Sequence, residues 1–513
     1  MRLINVHTLE LESFTGEEKP PYAILSHTWA SDAEEVTLQE FEDLSQRAQL
    51  RDRPGFWKIE KVCELARVTY GLDYAWVDTC AVDKKSSAEL SEAINSMFAW
   101  YQDAAVCVVY LADLDHELSG LGIGSAMKTC RWFTRGFTLQ ELIAPSKVDF
   151  FDCKWHKIGS KHQPDFVADL ASISGIQVET LHRLQSLSDV PIAVKMSWAA
   201  HRDTKRPEDR AYCLLGLFDV NMPLLYGEGG EKAFIRLQEE IMRNTSDMSI
   251  FAWSSAAKGS EFMGMLATSP SLFSEAGDIV YHPVISKAAP EVSITNRGIK
   301  LSTSLDYDEI NGYFVLLPDY WHHSSQKSVM VLLRQVQAEN YLRTWSNSLV
   351  LSLLADDTAC NISIPKTLSP IQNQRLLSRS LELKLSPTSD FSKCVATPAG
   401  CYNPTRCLLV PDFEASSVSS LEFKPPWSDE YDTFVVVCHI FAQSEVWHVR
   451  LFPGDQWIYR RDRVRDVSFS ERFALTSSLE LKHLFKATIS KKVTAELRQN
   501  NGKQPSLEVR IID

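Results

Sequence analysis

Three short apolar runs alternating with helical patterns predict an α/β fold, a doubly wound parallel sheet, for the N-terminal part of this 513-residue chain. The runs are Tyr22-Ala23-Ile24-Leu25 leading into Ser26-His27, then Tyr74-Ala75-Trp76-Val77, then Ala105-Val106-Cys107-Val108-Val109-Tyr110-Leu111. The last is apolar at every position rather than at alternate ones, which means burial on both faces and hence a sheet covered by helices. Polar residues gather where each run ends: Ser26, His27, Thr28 and Trp29, then Asp78, Thr79 and Cys80, then Asp113. That edge, outside the carboxyl ends of the strands, is where open α/β sheets bind ligands.

The helices between the runs are marked by caps and period. Thr37 and Glu40 have capping-box spacing, in which the hydroxyl and the carboxylate satisfy the free amides of a helix start. Ile59, Val62, Cys63 and Ala66 recur at helical spacing, and Tyr70-Gly71 closes that helix. Ser86 and Glu89 repeat the capping-box spacing ahead of Leu90, Ile94, Met97 and Tyr101, which share one helical face. The segment 131–145 then packs Arg131, Arg135, Trp132, Phe133, Phe137, Gly136 and Glu141 into a turn and a short helix. It follows the third strand, so the same crevice is within reach of Glu141. Val148-Asp149-Phe150-Phe151 reads as a fourth strand, and the chain to Trp253 reads as helical. Tyr226-Gly227-Glu228-Gly229-Gly230 lacks the G-K-[ST] ending of a phosphate loop and reads as a turn.

The length calls for two or three folded units. We expect an α/β domain over 1–160, a helical extension packed on it over 161–255, a linker near 254–260, and a β-rich domain over 270–513. The last rests on strand-like runs such as 313–317, 329–333, 434–438 and 507–511, separated by turn residues. A net charge of −13 and a pI of about 5.6 argue against general binding to nucleic acid or anionic membrane. The 11 cysteines include no C-x-x-C pair, several lie inside apolar runs, and no window is long and apolar enough to span a membrane. These features predict a cytoplasmic protein with no metal site and no cofactor.

The stretches 22–29, 74–80, 86–98 and 132–142 together resemble the fungal heterokaryon incompatibility (HET) domain, and 208–216 and 222–229 extend the likeness. Thr295-Asn296-Arg297-Gly298-Ile299 resembles the start of the β-rich tail of many members. The chain departs from the family pattern at Ala30, Ala81 and Phe137, where glycine or an acid, cysteine and tryptophan are usual. The resemblance implies a role in fungal non-self recognition, in which fused cells that differ genetically are killed. It also implies a distant relation to the TIR fold, of flavodoxin-like build, whose enzymatic members cleave NAD at the nicotinamide-ribose bond.

On that resemblance Glu141 is the catalytic candidate, its carboxylate stabilising the positive charge that develops on the ribose carbon. Arg131 or Arg135 would hold the diphosphate, Trp29 would stack on a flat base, Ser26 or His27 would bond a ribose hydroxyl, and Asp78 would complete the substrate site. NAD is thus a substrate rather than a cofactor, and activation implies a homo-oligomer and a protein trigger. Two alternatives stay open: a non-enzymatic signalling module acting through self-association, and an inactive member. Each residue also has a structural reading. Thr138 and Glu141 have capping-box spacing, Arg131 and Arg135 would be solvated or paired with Glu141, and Asp78 would cap the following loop. His27 would be a satisfied strand-end histidine, 83–85 a solvated loop, and Asp209 and Arg210 an ion pair or cap. A tail that restrains the N-terminal domain would make residues 1 to 260 more toxic alone than within the whole chain.

Overall fold

The computed structural model describes residues 1–255 apart from 16–18, 44, 46, 116 and 118–121. Beyond them it describes the chain except 256–261, 283–290, 309–311, 338, 345–348, 353–358, 379, 386–392, 398–401, 404–407, 410–416, 425–433, 441–446, 454–483, 490–492, 499–505 and 512–513. From residue 256 on, the expected linker lies outside the described residues. The chain divides into two compact units, the first made of 1–254, 266–285 and 319–326, the second of 255–265, 286–318 and 327–513.

The first unit opens with β1 (Arg2–Asn5), β2 (Leu11–Ser13) and β3 (Tyr22–His27), followed by α1 (Leu38–Glu42), α2 (Arg47–Leu50) and α3 (Pro54–Val68). Next come β4 (Tyr74–Trp76), α4 (Asp78–Ala81), α5 (Ser87–Asp103), β5 (Val106–Tyr110), α6 (Ile123–Met127), α7 (Thr138–Ile143), β6 (Val148–Phe151) and β7 (Lys157–Ser160). The sheet order is β2-β1-β4-β3-β5-β6-β7. Its four inner strands, β4, β3, β5 and β6, are parallel, as the apolar runs require. The outer three are antiparallel, which corrects the expectation of a parallel sheet throughout. Two of them come from residues 2–13, where four- and three-residue strands are too short to show a period.

Side chains alternate across a strand, and this assigns the two covers of the sheet. Ala23, Leu25, Val106 and Val108 pack with Phe56, Ile59, Val62 and Ala66 of α3 in one buried cluster. Each buried valine, leucine, isoleucine or phenylalanine of this cluster contributes about 1.5–3 kcal/mol relative to exposure. On the other face Trp76 meets Trp100 and Tyr101 of α5 edge-on, and Trp132 meets Phe150 of β6.

The expected caps form unequally. Thr37 and Glu40 make the full reciprocal box of α1. Ser86 accepts from Glu89 N, but the Glu89 carboxylate accepts from Asp83 N at 2.7 Å and from Arg2, so the second box is only half formed. Five helices follow: α8 (Pro164–Ser174), α9 (Val178–Leu181), α10 (Ile192–Ala199), α11 (Asp209–Tyr212) and α12 (Gly230–Asn244). Gly175 ends α8 at φ +72, a left-handed conformation that glycine adopts without strain.

Among its described residues the second unit holds strands and one helix, Pro370–Ser378. A four-stranded antiparallel sheet joins Lys393–Thr397, Ser417–Lys424, Phe434–Ile440 and Trp447–Pro453. Glu291–Thr295 forms a hairpin with Gly298–Asp308, and Gly298 is required there: an added Cβ would lie 2.2 Å from Ile364 O.

Candidate functional site

Helix α7 has six residues, too few to be stable alone, and two cationic side chains hold its ends. At the start, Arg202 Nη1 donates to Arg135 O at 2.8 Å and to Thr138 Oγ1 at 3.0 Å, while Thr138 Oγ1 donates to Trp132 O at 2.6 Å. At the end, fully buried Lys161 donates to Leu142 O at 2.9 Å and Pro145 O at 2.7 Å, supplying partners for carbonyls that a helix terminus leaves free. The capping-box reading of Thr138 and Glu141 is not what forms, because the N-cap of α7 is Phe137 and no side chain caps that end.

The Glu141 carboxyl instead crosses to β3 and accepts from Ser26 Oγ at 2.5 Å. Ser26 in turn accepts from Trp132 Nε1 at 2.8 Å and is fully buried, so its proton and one of its lone pairs are engaged within the protein. Tyr101, whose hydroxyl donates to Leu25 O, lies against the same carboxyl. Burial pushes the Glu141 pKa up to about 8; the bond from Ser26, the adjacent Tyr101 hydroxyl and the charge of Arg135 oppose this, and the charge of Asp78 adds to it.

One residue further along β3 the side chain turns to the opposite face. His27 therefore meets α3 rather than α7: Lys58 Nζ lies 3.1 Å from His27 Nδ1 and His27 Nε2 lies 3.1 Å from Asp78 Oδ1. An ammonium has no lone pair, so Nδ1 accepts and Nε2 carries the proton that is donated to Asp78. Lys58 also donates to Glu35 Oε1 at 2.6 Å, and Trp29 Nε1 donates to Asp78 Oδ2 at 2.9 Å. Burial opposes ionisation of Asp78, but the bonds from His27 and Trp29 and the charge of Lys84 outweigh it and hold its pKa at about 2. Asp78 is the first residue of α4 without capping it, which sets aside the capping reading.

The expected site residues thus separate into two groups. Ser26 and Glu141 share one face with Trp132 and Tyr101; His27, Asp78 and Trp29 share a second network with Lys58 and Glu35. The two are coupled through the charges of Asp78 and Glu141. Arg131 is exposed, 3.4 Å from Trp29 O, and makes no bond to Glu141. The half-buried Arg135 guanidinium has no hydrogen-bond or ion-pair partner among the described residues, while its charge reaches Glu141. Lys84, expected in a solvated loop, places its ammonium 3.5 Å from the Trp29 ring. Asp209 accepts from Tyr226 and Arg210 pairs with Asp203, so these two neighbours do not pair with each other. Lys58 was legible as a charged position at helical spacing from Val62, on the apolar stripe of α3, whereas Tyr101 read as core.

Residues 22–126, from β3 to α6, match the model of the heterokaryon incompatibility protein (HET) family. A HET domain therefore lies within this chain, over residues 22–126. Residues 232–287 match a second family, a domain of unknown function (DUF8212). The vegetative incompatibility protein HET-E-1 of Podospora anserina is 46% identical to this chain over 226 residues, 43% of this chain and 16% of that relative. The match therefore spans about a sixth of the relative's length. No solved structure matches the chain. Among the described residues no cluster of three or more His, Cys, Asp and Glu could hold a metal, and no helix is long and apolar enough to cross a membrane.

Proposed function

We propose that this protein acts in vegetative incompatibility, killing fused fungal cells that differ genetically, and that its HET domain is a TIR-like NAD glycohydrolase working in the cytoplasm. The first part is supported by the 46% identity to HET-E-1. The second is carried by one observation: two carboxyls at the C-terminal edge of the parallel strands have pKa values driven apart, Asp78 to about 2 and Glu141 to about 8. Such separation divides chemical roles between two like groups.

In this reading the bond from the ribose C1′ to the nicotinamide nitrogen breaks and its electron pair stays with nicotinamide. Ionised Glu141 stabilises the positive charge at C1′ until water adds there and releases a proton. Ser26 and Tyr101 orient Glu141, Asp78 accepts from ribose hydroxyls, and His27 orients Asp78. Arg135, half-buried and with no hydrogen-bond partner for its guanidinium among the described residues, and Arg131 take the diphosphate, and Trp29 stacks on a flat base once Lys84 leaves its ring. A protein trigger and self-association would switch the domain on.

The burial of Glu141, with the residue only 7% exposed, favours a second reading in which the carboxyl fastens α7 to β3 within a non-enzymatic signalling module. The purified protein decides between them. Wild type should consume NAD and release nicotinamide, at a rate that rises with pH and levels off above about pH 8 as Glu141 ionises, whereas Glu141→Gln should not. If neither consumes NAD while the wild type still kills cells, the signalling module replaces the enzyme.

A further inference from the structure

Within the first unit, beyond the start of α7, lies a cavity of about 260 Å³ that the reading above leaves unused. Arg202, His201, Arg210, Ser269 and Ser271 line it. Arg202 is fixed in place: Nε donates to Trp198 O and Nη1 to Arg135 O and Thr138 Oγ1. Its Nη2 has no hydrogen-bond partner among the described residues. Arg210 uses Nη2 on Asp203, at 2.9 Å, and its other side-chain N–H groups have no hydrogen-bond partner among the described residues. Ser269 Oγ accepts from Ser271 N and from Ser271 Oγ, so its own proton is also unassigned. Two guanidinium groups line the wall, and its one carboxylate, Asp203, is engaged by Arg210 through one oxygen.

From this geometry we propose that the cavity is a binding site for a small phosphate-bearing anion. A phosphate group offers several acceptor oxygens to such a wall, and a preoriented guanidinium with a free edge is its usual partner. The positive lining stands out in a chain whose net charge is −13. The volume exceeds that of a bare phosphate but lies below the roughly 300–1,000 Å³ of pockets for drug-sized ligands. It therefore suits a phosphate on a body about the size of one sugar, not a dinucleotide. Because Arg202 also holds Thr138, an occupant would bear on the first turn of the helix that carries Glu141.

The test is calorimetric titration of the full chain at constant ionic strength with ribose 5-phosphate, inorganic phosphate and ribose. Saturable binding of a phosphate compound and none of ribose is expected. Tighter binding of ribose 5-phosphate would assign the ligand to phosphate esters; tighter binding of inorganic phosphate would assign it to the free ion. Ser271→Tyr, at an exposed position on the wall, should abolish binding, and Arg210→Gln should weaken it about tenfold, while both proteins melt like wild type. Glu141→Gln should bind as wild type does, which separates this site from the NAD reading. Absence of saturable binding, or binding that survives both wall substitutions, would overturn the proposal.

Discussion

At the scale of single residues, the order Ser26-His27 on β3 decides which chemistry each side chain joins. Consecutive strand positions face opposite ways, so Ser26 meets Glu141 and His27 meets Lys58. Glu141 is the residue whose protonation should be readable as stability. Its pKa is raised in the folded chain from 4.5 to about 8, so the folded state holds the proton more tightly. The stability this contributes is complete below about pH 4.5 and is lost as pH rises through 8. Wild type should therefore lose stability relative to Glu141→Gln across that interval, by on the order of a few kcal/mol, in urea melts at several pH values. A constant difference would refute the assignment. Lys58→Met should destabilise by about 3–5 kcal/mol, because Glu35 and His27 would stay buried without their shared donor. Adding Glu35→Gln should recover part of that loss, and a double variant no better than the single would count against the network.

At the scale of elements, α7 shows how little of a short helix is fixed by its own residues. Thr138 and Glu141 have the spacing of a capping box, yet the carboxyl goes to Ser26 and the hydroxyl to Trp132 O. Remote cations, Arg202 and Lys161, serve the helix ends instead. Lys161→Met should leave the terminal carbonyls of α7 without donors and cost about 1–3 kcal/mol. Hydrogen exchange of residues 138–143 should quicken while that of β5 stays slow, and unchanged exchange in α7 would show that Lys161 does not hold it. The strands carrying the site were legible because each is a continuous apolar run, α1 because of its capping box, α3 because of its period, and α5 because of both. β1 and β2 were not, since their place depends on pairing with β4 rather than on local pattern.

At the scale of the molecule, the first unit does not end where the helical pattern ends. Leu266, Ala267 and Phe273 are buried, and Gln238 of α12 exchanges hydrogen bonds with both backbone groups of Ala267, at 2.8 and 3.1 Å. A fragment ending at residue 260 loses these partners. It should unfold at lower denaturant than a fragment of residues 1–285, by several kcal/mol, since each buried large apolar side chain is worth about 1.5–3 kcal/mol. Equal midpoints would show that 266–285 adds nothing to the unit. The toxicity comparison that tests restraint by the tail is therefore better made with 1–285, which should kill more readily than the whole chain at matched protein levels.

The sequence by itself determined the inner parallel strands, the main helices between them and the HET-domain kinship, because each rests on patterns within a few neighbouring residues. It also placed Ser26 and Asp78 at one edge, through the rule that the strand ends of such sheets lie side by side, whereas Glu141 entered through the resemblance. Only the tertiary structure decided which partner each polar group takes. Glu141 has the same local pattern whether it caps its own helix or crosses to β3, and burial, which sets its protonation, depends on residues more than a hundred positions away.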